Sequence, residues 1–115
     1  MSAITTHVLD TARGLPAEGV PVRLVLIGEP DRHDAPALLG VGVTDADGRI
    51  ENLGPDHLES GRYRLVFEVA AYAARTGQDY FLSQVDITFT PTGNRAHYHV
   101  PLLLSPFACS AYRGS

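Results

Sequence analysis

Hydrophobic and polar residues alternate along most of this chain, and the alternation breaks at short, regular intervals. Thr5-Thr6-His7-Val8-Leu9-Asp10 reads as a first strand, followed by a loop through Gly14, Pro16 and Gly19. From Val20 to Ile27 the residues Val20, Val22, Leu24 and Leu26 share one face and Arg23 takes the other. Gly28 to Pro36 holds two prolines and several charges and reads as a loop. Leu38 to Thr44 is a third strand, ended by Asp45-Ala46-Asp47-Gly48-Arg49, where Asp-Gly signals a turn. The Asp-x-Asp-Gly fragment is similar to the start of a calcium loop, but the later ligand spacing and closing glutamate are missing. Ile50 to Ser60 is irregular around Pro55, with a short strand expected near Leu53. Gly61 to Val69 alternates again, with Tyr63, Leu65, Phe67 and Val69 inward and Arg62, Arg64 and Glu68 outward. Ala70 to Thr76 has a helical composition and Gly77 is a suitable stop. Gln84 to Thr90 turns Val85, Ile87 and Phe89 inward, and Pro91-Thr92-Gly93-Asn94 turns the chain into its last strands.

Seven or so short strands with frequent turns and one short helix predict an all-β sandwich. Exposed edge strands in such a sandwich are protected by pairing with a second subunit, so self-association is expected. At 115 residues the chain fits one domain, residues 1–115, with no internal repeat or linker. No window approaches the roughly 18 apolar residues of a membrane span. Met1 to Thr6 lacks the basic and apolar regions of a signal peptide, and the single cysteine, Cys109, has no intrachain partner and reads as a small buried residue, not a nucleophile. A cytoplasmic setting is expected. The formal charge is −4 with no basic block, which argues against nucleic acid and anionic membrane as partners. All nine cationic residues are arginine, suited to planar, bidentate recognition, although a GC-rich genome would give the same bias.

The candidate chemistry gathers at the end of the sequence, which runs His97-Tyr98-His99-Val100-Pro101-Leu102-Leu103-Leu104-Ser105-Pro106 and closes on Tyr112-Arg113-Gly114-Ser115. Strand spacing puts His97 and His99 on one face and Tyr98 and Val100 on the other. Three readings fit the pair: solvated histidines on an edge strand, zinc ligands, or an imidazole that moves protons near neutral pH. Pro101 lacks an amide hydrogen, so the strand is expected to be an edge or to bend there. An aliphatic strand leading directly into Tyr-Arg-Gly-Ser places the terminus against packed structure, closing a sheet or completing a site.

Taken together, Thr6-His7-Val8-Leu9-Asp10, Gly19-Val20-Pro21-Val22, Asp47-Gly48-Arg49, the His97–Pro106 run and Tyr112-Arg113-Gly114-Ser115 resemble the bacterial transthyretin-like proteins, over essentially the whole chain. The resemblance implies a transthyretin-like β-sandwich of two four-stranded sheets with one short α-helix. It implies a homotetramer, a dimer of dimers, with sites lining a channel between the dimers. The implied activity is hydrolysis of 5-hydroxyisourate to 2-oxo-4-hydroxy-4-carboxy-5-ureidoimidazoline in urate breakdown, with no metal or organic cofactor. The implied site is His7, Arg49, His99 and Ser115 for catalysis, with His7, Arg49, Tyr112, Arg113, Gly114 and Ser115 binding substrate; His97 is less central.

Opening a cyclic amide requires an activated water and a stabilised oxyanion. His7 or His99 supplies the base, the other orients water or protonates the leaving nitrogen, and Arg49 holds the substrate's oxygens. The Ser115 hydroxyl is expected to bind substrate or water, and its carboxylate to orient an imidazole. The sequence departs from the family pattern at Ala108, Cys109 and Ala111, where glycine, tyrosine and threonine are more usual, and Phe81-Leu82-Ser83-Gln84 lacks a common proline. These read as local repacking beside an intact site. The rival functions are a ligand carrier of the transthyretin kind, a zinc hydrolase using His7, His97 and His99, and a structural sandwich.

Overall fold

The strand pairings set where every polar side chain of interest lies. The structure, a computed structural model, describes residues 2–29, 35–92 and 95–114. Ser115, residues 30–34 of the expected loop and the Gly93-Asn94 half of the expected turn lie outside the described residues. The elements are β1 (Ile4–Asp10), β2 (Leu15–Pro16), β3 (Pro21–Gly28), β4 (Ala37–Val43), β5 (Arg49–Ile50), β6 (Arg62–Phe67), α1 (Val69–Thr76), β7 (Val85–Phe89), β8 (Tyr98–Leu104) and β9 (Cys109–Ala111). One sheet has the order β2-β1-β8-β9, with β5 also on β1; the other has the order β4-β3-β6-β7. This is the expected two-sheet sandwich with one short helix, ended at Gly77 as anticipated.

Both sheets turn their alternating apolar residues toward a shared interior. Ile4, Val8, Leu102 and Leu104 from one sheet and Val22, Leu24, Leu65 and Phe67 from the other are almost fully buried. At about 25 cal/mol per Å² of apolar surface removed from water, such side chains supply the main driving force for closing the sandwich. The opposite, odd-numbered face of β1 and β8 then presents Thr5, His7, His97 and His99 outward, because side chains alternate across a strand.

The structure differs from the sequence reading in three places. Two-residue strands β2 and β5 both pair with β1, one at Leu9↔Pro16 and Asp10↔Leu15, the other at Thr6↔Ile50 and His7↔Arg49. Strands this short have no periodicity to read. The strand expected near Leu53 is not there: Leu53 is a fully buried core residue whose amide donates to the Ser2 hydroxyl, 2.8 Å away, instead of to a ladder. Nor is β8 an edge strand. It runs parallel to β1, with Thr5↔His99 and His7↔Pro101 in register, and antiparallel to β9 on its other side. Pro101 still interrupts pairing. The β9 ladder ends at Leu102↔Ala111 and resumes only as a bridge between His99 and Gly114. The gap falls opposite the proline, which has no amide hydrogen to give.

Candidate active site

The Asp45–Arg49 turn delivers Arg49 to the side of His7. The Asp45 carboxylate accepts from the amides of Asp47 and Arg49, each at 2.9 Å, and the Asp45 carbonyl accepts from Gly48. This is a side-chain-stabilised turn, as expected for Asp-x-Asp-Gly. Gly48 has φ 77°, and a Cβ there would lie 2.4 Å from the Val8 carbonyl oxygen. Only glycine lets the turn come this close to β1, and the approach lets Arg49 pair with His7.

His7 and His99 lie diagonally across the parallel β1–β8 pair, with ring centroids 6.5 Å apart and planes tilted by 35°. Beside them is a cavity of about 220 Å³ lined by Thr5, Thr6, Arg49, Ile50, Glu51, His97 and His99. His7 is half-buried, Arg49 and His97 are exposed, and Thr5 is buried. The Thr5 hydroxyl sits between two imidazoles, 2.9 Å from His97 Nε2 and 2.8 Å from His99 Nδ1. Both histidines of the His-Tyr-His run therefore share a face, as their spacing predicts. With Nδ1 engaged by Thr5, the other ring nitrogen of His99, Nε2, has no hydrogen-bond partner among the described residues. Burial, then the positive charges of Arg49, His7 and His97, hold the His99 pKa below the usual 6.5. His99 is thus neutral at pH 7, with a lone pair available to accept a proton.

The chain end reaches the same imidazole. The Gly114 amide donates to the His99 carbonyl at 2.7 Å, and Gly114 is buried. A Cβ on Gly114 would meet His99 Cδ2 at 2.9 Å, so a side chain here would push against the ring. Tyr112 and Arg113, two residues expected in the same site, line a different cleft within the single chain. That cleft, of about 250 Å³, lies between the edges of the two sheets among Ile87, Phe89, Tyr98, Val100 and Ala111. Ser115 lies outside the described residues. Within one protomer the fold therefore gathers His7, Arg49, His97, His99 and Gly114, and it leaves Tyr112 and Arg113 apart from them.

Sequence reading passed over Thr5 and Glu51. Each lies two residues from a recognised site residue, Thr5 before His7 on the same face of β1 and Glu51 after Arg49 just beyond β5, and that spacing was the available signal. The three imidazoles do not form a metal site: among the described residues no group of three His, Cys, Asp or Glu side chains is placed to hold an ion. Thr5 also occupies one nitrogen each of His97 and His99. No helix among the described residues is long and apolar enough to cross a membrane.

A sandwich of these two sheets, with imidazoles on the outer face of the β1–β8 pair and a guanidinium beside them on β5, defines a transthyretin-type protein carrying a polar cluster on its surface. The model of the HIUase/Transthyretin family matches residues 4–114, and the chain belongs to that family. It is 42% identical over 115 residues to the mouse protein named 5-hydroxyisourate hydrolase, covering 99% of this chain and 96% of the mouse one. The solved 5-hydroxyisourate hydrolase of Klebsiella pneumoniae superposes with a TM-score of 0.83 at 38% identity, covering 99% of this chain and 100% of that one. Sea bream transthyretin, solved in complex with thyroxine, gives a TM-score of 0.87 at 29% identity over 97% of this chain and 94% of that one.

Proposed function

We propose that this protein is a 5-hydroxyisourate hydrolase, opening the ring to 2-oxo-4-hydroxy-4-carboxy-5-ureidoimidazoline in urate catabolism. The observation that carries the reading is a neutral, half-buried His99, its Nε2 without a partner among the described residues, on the same outer face as His7 and beside Arg49. The shared name of the mouse and Klebsiella relatives supplies the substrate. Nε2 of His99 takes a proton from water as the oxygen attacks the ring carbonyl. Arg49, always charged, holds the substrate's oxygens and offsets the negative charge that develops on the attacked one. His7 orients the water or protonates the leaving nitrogen. These side chains supply general acid–base and electrostatic catalysis without a cofactor.

Ser115 completes the site through its hydroxyl or its carboxylate, and Tyr112, Arg113 and Gly114 contribute to substrate binding. Gly114 against His99 supports this role for the chain end. The assembly is a homotetramer, a dimer of dimers whose sites line the channel between dimers. Supporting it, Leu15, Phe107 and Tyr112 are exposed apolar residues around the sheet that carries the imidazoles, and β9 is an unpaired edge. Cys109, expected to be buried, is exposed near the start of the short edge strand β9, and its free thiol fits a reducing, cytoplasmic setting. A pure carrier, as the thyroxine complex of sea bream transthyretin suggests, has no use for two imidazoles and a guanidinium around a polar cavity.

The test is the ultraviolet decay of freshly generated 5-hydroxyisourate, with and without chelator-treated protein. Acceleration that survives chelation supports the proposal. Decay at the spontaneous rate, with tight binding of an apolar aromatic ligand, establishes the carrier instead.

A further inference from the structure

The Thr5 bridge between His97 and His99 does more than hold two rings. Thr5 is only 5% exposed, and its oxygen lies within hydrogen-bond distance of a nitrogen on each ring, 2.9 Å from His97 and 2.8 Å from His99. A hydroxyl has one proton to give and lone pairs with which to accept. Between two neutral imidazoles it therefore donates to one and accepts from the other. When Nδ1–H of His99 donates to Thr5 and Thr5 donates to Nε2 of His97, Nε2 of His99 carries the ring's lone pair.

We propose that Thr5 and His97 form a proton relay behind His99, so that the charge created by water attack comes to rest on His97 at the surface. This rests on the hydrolase reading above. In the attack step, water's oxygen bonds the ring carbonyl carbon and its proton passes to His99 Nε2. The Nδ1 proton of His99 moves to Thr5 Oγ1, and the hydroxyl proton of Thr5 moves to His97 Nε2. When the carbon–nitrogen bond breaks, the sequence reverses: His97 returns a proton to Thr5, Thr5 to Nδ1, and His99 gives its Nε2 proton to the leaving nitrogen. Water is added across the bond, and all three side chains end as they began.

The surroundings of His99 supply the reason for moving the charge. Arg49 on β5, His7 on β1 and His97 just before β8 all face it with positive or potentially positive charge, and burial adds to the penalty. Among the described residues the one carboxylate lining the cavity is Glu51, and Gly114 meets the ring through its backbone. His97, by contrast, is exposed to water, which solvates an imidazolium.

The experiment compares Thr5→Val, Thr5→Ser and His97→Ala in the steady-state hydrolysis of 5-hydroxyisourate. Thr5→Val keeps the branched shape without the hydroxyl and is expected to lower kcat roughly 10- to 100-fold with little change in KM; Thr5→Ser keeps most of the rate. His97→Ala is expected to fall similarly, and added imidazole should restore it. Imidazole should not restore Thr5→Val, where the link itself is gone, and the double variant should be no slower than the worse single one. A purely structural role predicts no rescue. Circular dichroism checks folding, and if Thr5→Val fails to fold, rescue at the exposed His97 position decides. The relay is overturned if both variants keep kcat within about twofold of wild type, or if the His97→Ala loss is not rescued. A wild-type protein that does not accelerate the decay overturns the hydrolase reading and the relay with it; an active wild type with unimpaired variants overturns the relay alone.

Discussion

On its inward face β1 ends in Asp10, 1% exposed, whose carboxylate accepts from the Tyr72 hydroxyl at 2.6 Å, Gln78 at 3.0 Å and the Arg13 amide at 3.0 Å. Three residues earlier, on the outward face, the same strand carries His7 beside an open cavity. Burial alone would raise the Asp10 pKa, but the bonds from Tyr72, Arg13 and Gln78, with the Arg13 charge, outweigh it and hold the carboxyl below 3.8. Asp10 thus keeps its charge with its acceptor sites occupied, tying α1 and the following turn to the sheet. Next to it, burial and then the charge of Asp10 push the Tyr80 hydroxyl up to about 12, which keeps it protonated. His99 is the opposite case: one nitrogen held, the other without a partner among the described residues, and a charge the surroundings disfavour. A carboxylate with its acceptor sites occupied holds a fold together, whereas a basic nitrogen beside a cavity can do chemistry.

The sharpest way to break this contrast is His99→Asn, expected to cut kcat/KM by about 10²- to 10⁴-fold while leaving the melting temperature nearly unchanged. A His99→Asn variant that melts well below wild type yet turns over normally would invert the assignment. Deleting Arg113 to Ser115 tests the chain end that packs on His99. Misplacing that ring should cost on the order of 10²-fold in kcat/KM with the far-ultraviolet spectrum intact, and an unchanged kcat/KM would remove the segment from the site. Asp10→Asn should behave in the reverse sense, losing about 1–3 kcal/mol in denaturant unfolding while folded protein keeps kcat/KM within a few-fold.

The two clusters also separate by pH. The folded pKa of Asp10 is depressed, so its contribution to stability is present above the unfolded value of 3.8 and is lost as pH falls through the folded one. Acid unfolding below pH ~4 should therefore be blunted in Asp10→Asn. His99 titrates below 6.5, so kcat/KM should hold near pH 7 and fall only at more acidic pH, as the free imidazole is protonated. A profile flat from pH ~5 to 8 would count against an imidazole base.

Periodicity made the larger strands legible, because a side chain facing the core alternates with one facing water over five residues or more. β2 and β5 were hidden because two-residue strands exist only through their pairing with β1. For the same reason, the sequence named Arg49 through its motif, not through any visible adjacency to His7. Thr5 went unread because an outward threonine is an ordinary strand residue; only the register Thr5↔His99 turns its hydroxyl into a bridge. Pro101 marked a real break in pairing but misplaced its strand: a proline is tolerated beside a neighbouring chain where the missing amide meets a gap. Tyr112 and Arg113 belong to one motif with Gly114, yet motif contiguity does not fix which cleft each side chain enters.

The most direct test is the absorbance decay of freshly made 5-hydroxyisourate, recorded side by side with wild-type protein, folded His99→Asn and no protein, all in chelator. The account predicts rapid decay with wild type and a near-spontaneous rate with His99→Asn. Equal decay in all three, or equal acceleration by the two proteins, would contradict it.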